Sequence, residues 1–365
     1  MEIYKVGGCV RDHLLGIIPK DIDYVVVNST PEQMLALGYE QVGADFPVFL
    51  HPESGDEYAL ARKERKTGDG YNGFSVDCIG ISLEEDLFRR DLTINAIAMD
   101  NDGNIIDPFN GIKDLQSKTL RHVSDHFKED PVRILRIARF TARYDFSIAP
   151  ETLLFMKEMV NNNEFKNLTK ERVWKEFDKA LDEPHLLNFF NTLKSINALE
   201  LIDGFSNDLE LNYLNITKPD NSKFINSIYI YSQHTDLQNS IIPTQLKKDS
   251  NEFKYWTKNN YFYSKMTTED KLLFIQKNKS LHDLTNSENI FKSIIQYLIF
   301  KNNDSNLDMQ YELQQLHQDT ASLKTIDYST LINKTDKEAN PKEIIRQAQI
   351  EALNKCKCKK NTNKP

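Results

Sequence analysis

Residues 20–27 read KDIDYVVV, and this octapeptide decides how the first third of the chain is read. Tyr24, Val25, Val26 and Val27 form an apolar, β-branched run that predicts a buried strand. Two aspartates, Asp21 and Asp23, stand at its entrance. Asp is a poor strand former and costly to bury without a partner. In an extended chain residues i and i+2 point to the same side, roughly 6.5–7 Å apart. Two carboxylates so placed are suited to bracketing Mg²⁺. A pair of such ions ~3.5–4 Å apart is a common device for in-line phosphoryl displacement. A turn that merely ends in exposed carboxylates is the alternative.

Upstream lies VGGCVRDHLLG, Val6 to Gly16, after a short strand at Ile3–Val6 and before a helical turn at Val10–Leu15. Gly7 and Gly8 let the backbone bend sharply and approach a ligand. The N–H groups that open the following helix then suit phosphate, and Arg11 adds a fork of donors for a triphosphate. Downstream, DEYALARKE alternates like a strand, with Glu57, Ala59 and Ala61 on one face. Glu57 becomes a third carboxylate if this strand lies beside KDIDYVVV; otherwise it is an edge charge. The next segment, RKERKTGDGYNGF, reads as a basic flap near phosphates or as a surface loop.

A second constellation begins at EEDLFRRDLTINAIA, residues 84–98, where Arg89 and Arg90 serve phosphate, RNA or plain salt bridges. In EDPVRILRIARFTAR, residues 129–143, Asp130 is a good N-cap and Pro131 suits a first helical position. Arg133, Arg136, Arg139 and Arg143 fall on one side of that helix, with Leu135, Ala138 and Ala142 on the buried side. Such a stripe is commonly a solvated face. A sharper reading pairs Asp130 with Arg133. The carboxylate accepts from the exocyclic amine of C or A, and the guanidinium donates to acceptors on the same base edge. U and G carry a carbonyl where that amine would be. Glu129 is expected to hold Arg133 in position.

At 365 residues the chain is long enough for two or three domains. Its net charge of −8 argues against indiscriminate coating of nucleic acid but not against a local basic groove. No window approaches the ~18 apolar residues of a membrane span. The start, MEIYKVGG, lacks a signal pattern, so a cytoplasmic protein is expected, with no membrane partner. Cys9, Cys78, Cys356 and Cys358 match no zinc framework or disulfide scaffold and read as free thiols. Residues 1–115 have an α+β texture, 116–205 look helical, and 206–365 are Asn/Lys-rich and weakly helical, ending in a basic tail, KCKCKKNTNKP, expected to be disordered.

Together these segments resemble the tRNA nucleotidyltransferases, the CCA-adding enzymes of bacteria, within the DNA polymerase β-like superfamily. The likeness rests on VGGCVRDHLLG, KDIDYVVVNSTPEQML, GADFPVFLHPESGDEYALARKERKTGDGYNGF, EEDLFRRDLTINAIAMD, IIDPFNGIKDL, LRHVSDHFKEDPVRILRIARFTARY and LTKERVWKE, in the family's order. It implies a small mixed-sheet catalytic head (1–115), a helical neck with a nucleotide-selecting helix (116–205), and a helical body and tail (206–365). It implies that Gly8 and Arg11 contact the nucleotide and that Asp21 and Asp23 hold Mg²⁺. It also implies that Arg90, Asp130, Arg133, Arg136 and Arg139 bind incoming CTP or ATP. The expected function is template-independent addition of CCA to the tRNA 3′ end by a monomer or homodimer. The alternatives are a poly(A)- or A-only-adding polymerase on the same scaffold and a non-catalytic tRNA-binding relative. Some close relatives carry a metal-dependent phosphohydrolase domain of the HD type. Past residue 205 this chain has only His234, His282 and His317, and His282–Asp283 is its one His–Asp dipeptide there, so that activity is expected to be absent. PKEIIRQAQIEALNK, residues 341–355, resembles the relatives' tail helix.

Overall fold

The computed structural model describes residues 1–42, 48–66, 74–77, 80–202, 205, 223–232, 244–258, 262–277, 281, 284–302, 308–333 and 340–361. The chain divides into two compact units, Met1–Asp208 and Leu209–Pro365.

The first unit is built on a mixed sheet. In chain order come β1 (Glu2–Val6), α1 (Gly8–Leu14), β2 (Asp23–Val27), α2 (Pro31–Ala36), β3 (Glu40–Val42), β4 (Val48–Leu50) and β5 (Glu57–Leu60). A separate hairpin follows, β6 (Lys63–Lys66) and β7 (Phe74–Asp77), then α3 (Leu83–Phe88), β8 (Ala98–Met99) and β9 (Ile105–Ile106). The seven-stranded sheet runs β3-β4-β5-β2-β1-β8-β9. The apolar run therefore lies near the sheet's centre, antiparallel to β1 and parallel to β5. Alternation sorts its side chains. Val25 and Val27 join Val6, Ala61, Leu87, Ala96 and Ala98 in one core cluster, whereas Val26 joins Met34, Phe49, Tyr58 and Leu60 in another.

One sequence expectation is corrected here. Strand β2 begins at Asp23, so Asp21 is not a strand residue. Continuing the β1–β2 register, in which Lys5 faces Tyr24, would set Asp21 against Gly8. Gly8 has already started α1, so no ladder partner exists there.

The remainder of the unit is helical: α4 (Gly111–Gln116), α5 (Val132–Tyr144), α6 (Pro150–Asn161), α7 (Lys170–Ala180) and α8 (Leu186–Ser195). Two short strands, β10 (Thr119–Leu120) and β11 (Ser147–Ile148), pair in parallel. Helix α5 packs on α7 and α8, burying Ile134, Leu135, Ile137, Ala138 and Ala142. It starts at Val132 rather than at Pro131, and the Asp130 carboxylate accepts the Val132 N–H at 3.2 Å.

The second unit contains α9 (Lys223–Ser232), α10 (Thr244–Lys258), α11 (Thr268–Lys277), α12 (Leu284–Asn302), α13 (Met309–Lys324), α14 (Tyr328–Asn333) and α15 (Pro341–Asn361). Its core holds Trp256, Phe253, Tyr263, Phe274 and Phe291. A buried Lys271–Asp319 pair at 3.2 Å joins α11 to α13. Helix α15 extends to Asn361, so most of the basic tail expected to be disordered is helical. His282–Asp283, His234, the tip of the basic flap (67–73) and residues 362–365 lie outside the described residues. No helix among the described residues is long and apolar enough to cross a membrane.

Candidate active site

The first unit encloses a cavity of about 880 Å³. Its lining includes Gly7, Gly8, Arg11, Asp23, Glu57, Arg90, Asp130, Arg133 and Arg136. Nine of the eleven residues singled out from sequence thus meet around one space. Asp21 and Arg139 are absent from the lining.

Asp23 and Glu57 are direct register partners across the parallel β2–β5 pair. Their side chains therefore leave the sheet on the same face, which is the arrangement expected of Glu57 if its strand lay beside β2. Burial pushes the Asp23 carboxyl above its ordinary value; Arg90 pulls it down, and Asp21 pushes it up again. Asp21 is thus close enough to repel Asp23 although it stands outside the lining. The donor set is carboxylate oxygen throughout. That suits Mg²⁺, which is usually held by one or two carboxylates, water and substrate phosphates. Among the described residues no group of three or more His, Cys, Asp or Glu side chains is placed to hold a metal ion.

The glycine turn is built around two arginines. Gly7 has φ +70° and ψ −123°, a conformation open to glycine. A Cβ there would lie 2.7 Å from Nη1 of Arg90. Arg90 and Arg89 are both fixed by Asp86, which is fully buried: Arg89 Nη2 donates to Oδ1 at 2.7 Å and Arg90 Nη2 to Oδ2 at 3.2 Å. Burial pushes the Asp86 carboxyl up, but the two guanidiniums outweigh it and hold the group below its usual value. Arg11 donates from Nη1 to Asn95 Oδ1 at 2.5 Å and from Nε to Asp12 Oδ1 at 2.9 Å.

Helix α5 supplies the other wall. The expected Glu129–Arg133 contact is replaced by a different one. Glu129 pairs with His126 Nδ1 at 2.9 Å, whereas Arg133 donates to the carbonyls of His126 (2.9 Å) and Arg89 (2.8 Å). Two backbone acceptors fix the guanidinium plane more firmly than one flexible carboxylate. Asp130 is engaged by Arg172 Nη2 at 2.7 Å. Arg136 donates to Asp91 at 2.8 Å. Burial pushes Asp91 up; Arg136 and Asn95 more than offset it, leaving the carboxyl well below its ordinary value.

Arg139 lies outside the lining. It is buried behind the wall, with Nε on Glu176 at 2.8 Å and Nη1 near Glu183 at 3.5 Å. Arg143 likewise turns to Asp12, at 3.2 Å. The arginine stripe therefore divides into two residues that line the cavity and two that knit elements together. Sequence reading missed Asn95, Arg172, Lys175, Glu176 and Lys179 in the lining. The last four fall at i, i+3, i+4 and i+7, one face of α7, and that spacing was a usable signal.

The residues 3–121 match the family model described as "Poly A polymerase head domain", and 145–202 match "Probable RNA and SrmB-binding site of polymerase A". Among curated proteins, the chain is similar to a "Multifunctional CCA protein" of Mannheimia succiniciproducens, 58% identical over 206 residues, which are 55% of this chain and 49% of that protein. A protein of the same name from Hahella chejuensis is 59% identical over 204 residues, 55% of this chain and 48% of that protein. The chain thus spans about half the length of the curated relatives it matches. Among solved structures, the Bacillus stearothermophilus CCA-adding enzyme in complex with CTP superposes with a TM-score of 0.71 at 22% identity, covering 97% of this chain and 89% of that one. A Thermotoga maritima CCA-adding enzyme complexed with tRNA aligns with a TM-score of 0.65 at 19% identity, covering 98% and 91%. At those identities the structural likeness shows the fold: an α+β head with a mixed sheet, followed by helices.

Proposed function

We propose that this chain, whose residues 3–121 match the model of the poly A polymerase head domain, adds C, C and A to the tRNA 3′ end from CTP and ATP. The observation that carries the reading is the single cavity into which the Asp23–Glu57 carboxylates, the Gly7–Gly8 turn and the Asp130–Arg133 pair all open. The named activity of the curated relatives and the CTP and tRNA named in the solved neighbours support it.

In this reading Asp21 and Asp23 would hold Mg²⁺, with water and substrate phosphates completing its oxygen shell, and Glu57 stands beside Asp23. When bound, the ion supplies Lewis-acid activation of the attacking 3′ hydroxyl and neutralises charge on the triphosphate. The Gly7–Gly8 turn admits the phosphates close to the backbone, and Arg11 and Arg90 bind them. Asp130 accepts from the amine of C or A while Arg133 donates to the neighbouring acceptor; U and G present a carbonyl to Asp130 and are repelled. Arg136 stays beside the base pocket, oriented by Asp91. The mixed sheet would be the catalytic head (1–115), residues 116–205 the neck, and 206–365 the tRNA-holding body and tail.

The family model's description favours a second reading, a polymerase that adds only A. Primer extension separates them. Transcripts ending before the CCA, after C and after CC are incubated with each nucleotide triphosphate. CTP incorporation on the first two and ATP on the third support CCA addition; ATP alone on every primer supports the second reading. We further propose that no HD-type phosphohydrolase activity accompanies it, given the histidine poverty beyond residue 205. Metal-dependent hydrolysis of a chromogenic phosphodiester would refute that.

A further inference from the structure

Asp12 is buried and absent from the cavity lining, yet it is the centre of a network that the proposed reaction leaves unexplained. Its Oδ1 accepts from Arg11 Nε at 2.9 Å, lies 2.8 Å from Arg11 Nη2, and accepts the Tyr144 hydroxyl at 2.9 Å. Its Oδ2 accepts from Arg143 Nη2 at 3.2 Å. The Arg11 guanidinium lies 5.3 Å from the centre of the Phe140 ring and 5.1 Å from that of Tyr144. Phe140, Arg143 and Tyr144 all belong to α5. The same helix carries Arg133, the base-reading candidate, in its first turn, some ten residues or about 15 Å of helix away.

We infer that Asp12 is a positioning residue for the nucleotide's phosphates: it fixes the fork of Arg11 against the last turn of α5. The phosphate-gripping arginine is thereby referenced to the helix that reads the base. This rests on the reading of the cavity as a nucleotide site. The geometry is specific in three respects. One carboxylate oxygen, Oδ1, meets both Nε and Nη2, so two nitrogens of the guanidinium are held by a single acceptor. Asn95 holds the opposite nitrogen, Nη1. The two aromatic rings confine the plane from the side. Nη2 is left facing the glycine turn, 3.5 Å from where a Cβ on Gly8 would stand. Asp12 does not itself line the cavity, so its effect passes through Arg11. Because Arg11 addresses phosphate and Asp130 with Arg133 address the base edge, losing Asp12 should weaken every triphosphate alike and leave base choice intact.

The test compares binding of CTP and CMP, and single-nucleotide incorporation of all four triphosphates, in the full-length protein and two variants. Asp12→Asn keeps the shape but loses the charge. Tyr144→Phe keeps the ring beneath Arg11 and removes only the hydroxyl donor. We expect Asp12→Asn to weaken CTP and ATP binding roughly tenfold or more, since the charge-assisted contacts of one carboxylate oxygen with two guanidinium nitrogens are lost. CMP binding, and the preference for CTP over UTP, should change by less than about threefold. Tyr144→Phe, losing one neutral donor, should give the same pattern at a few-fold magnitude. A merely structural role would lower CTP and CMP binding together, or only the active fraction, and that outcome overturns the inference. Unchanged CTP binding in both variants also overturns it. If the parent protein itself binds no nucleoside triphosphate, the function proposed above fails first, and the two failures are told apart by that control.

Discussion

Replacing Gly7 with Ala should damage the protein in two separable ways. The backbone at Gly7 sits at φ +70°, ψ −123°. For an L-residue, holding such a sparsely populated conformation costs on the order of 1–3 kcal/mol. The new Cβ would also lie 2.7 Å from Arg90 Nη1, closer than non-bonded atoms tolerate. Arg90 is the far end of a flexible side chain, but moving it disturbs its bonds to Asp86 (3.2 Å) and to the Asn95 carbonyl (3.4 Å). Losing part of these adds roughly 1–2 kcal/mol. The sum is about 2–5 kcal/mol, which for a unit of this size lowers Tm by roughly 4–20 °C. Gly103→Ala is the matched control. Its φ is +85°, but a Cβ there meets nothing within 4 Å. It should therefore show only backbone strain, about 1–2 kcal/mol. The assay is thermal unfolding by circular dichroism, together with CTP incorporation well below either Tm. Gly7→Ala should lose roughly tenfold or more of its incorporation there because Arg90 is displaced, whereas Gly103→Ala should keep nearly all. A Gly7→Ala protein that melts within about a degree of the parent and incorporates CTP normally would refute the argument.

Three further outcomes follow from the site. Asp23→Asn should abolish incorporation and yet raise Tm at pH 7 without divalent cations. A carboxyl raised in the folded state opposes folding above its unfolded value, and the amide removes that cost. A lowered Tm would contradict this. Arg139→Met should destabilise the fold by roughly 3–5 kcal/mol, since Glu176 is left buried without its closest cation, while CTP affinity falls less than in Arg136→Met; a calorimetric titration showing the reverse order would restore Arg139 to the nucleotide site. Asp91, held low by Arg136, contributes stability that is full above the unfolded carboxylate value near pH 4 and is lost as pH falls from there toward its folded value. Denaturant unfolding of Asp91→Asn should therefore show a flatter acid limb than the parent, and an unchanged limb would refute the assignment.

How much of this was legible beforehand differs between elements. Strand β2 was readable because alternation is a property of the backbone, and Val25 and Val27 had to share a face with Asp23 whatever lay above them. Glu57 needed one tertiary fact, that β5 pairs in parallel with β2 so that Glu57 meets Asp23. Asp21 was misplaced because strand alternation was extended past the point where β1 turns away into α1. Arg172 shares one face of α7 with Lys175, Glu176 and Lys179, which the spacing shows, but what that face meets depends on α7 being folded against α5.

Sequence alone determined the local chemistry: a glycine turn with an arginine, carboxylates at a strand mouth, and an acid–arginine pair where a helix begins. The tertiary structure decided which of those charges remain available. Arg133 and Arg136 face the cavity, while Arg139 and Arg143, on the same helical stripe, are taken by Glu176 and Asp12. Helical spacing fixes only the direction in which a side chain leaves its axis. Whether it meets a ligand or a carboxylate depends on which other helix packs there, and that contact is made between residues 37 and 131 positions apart.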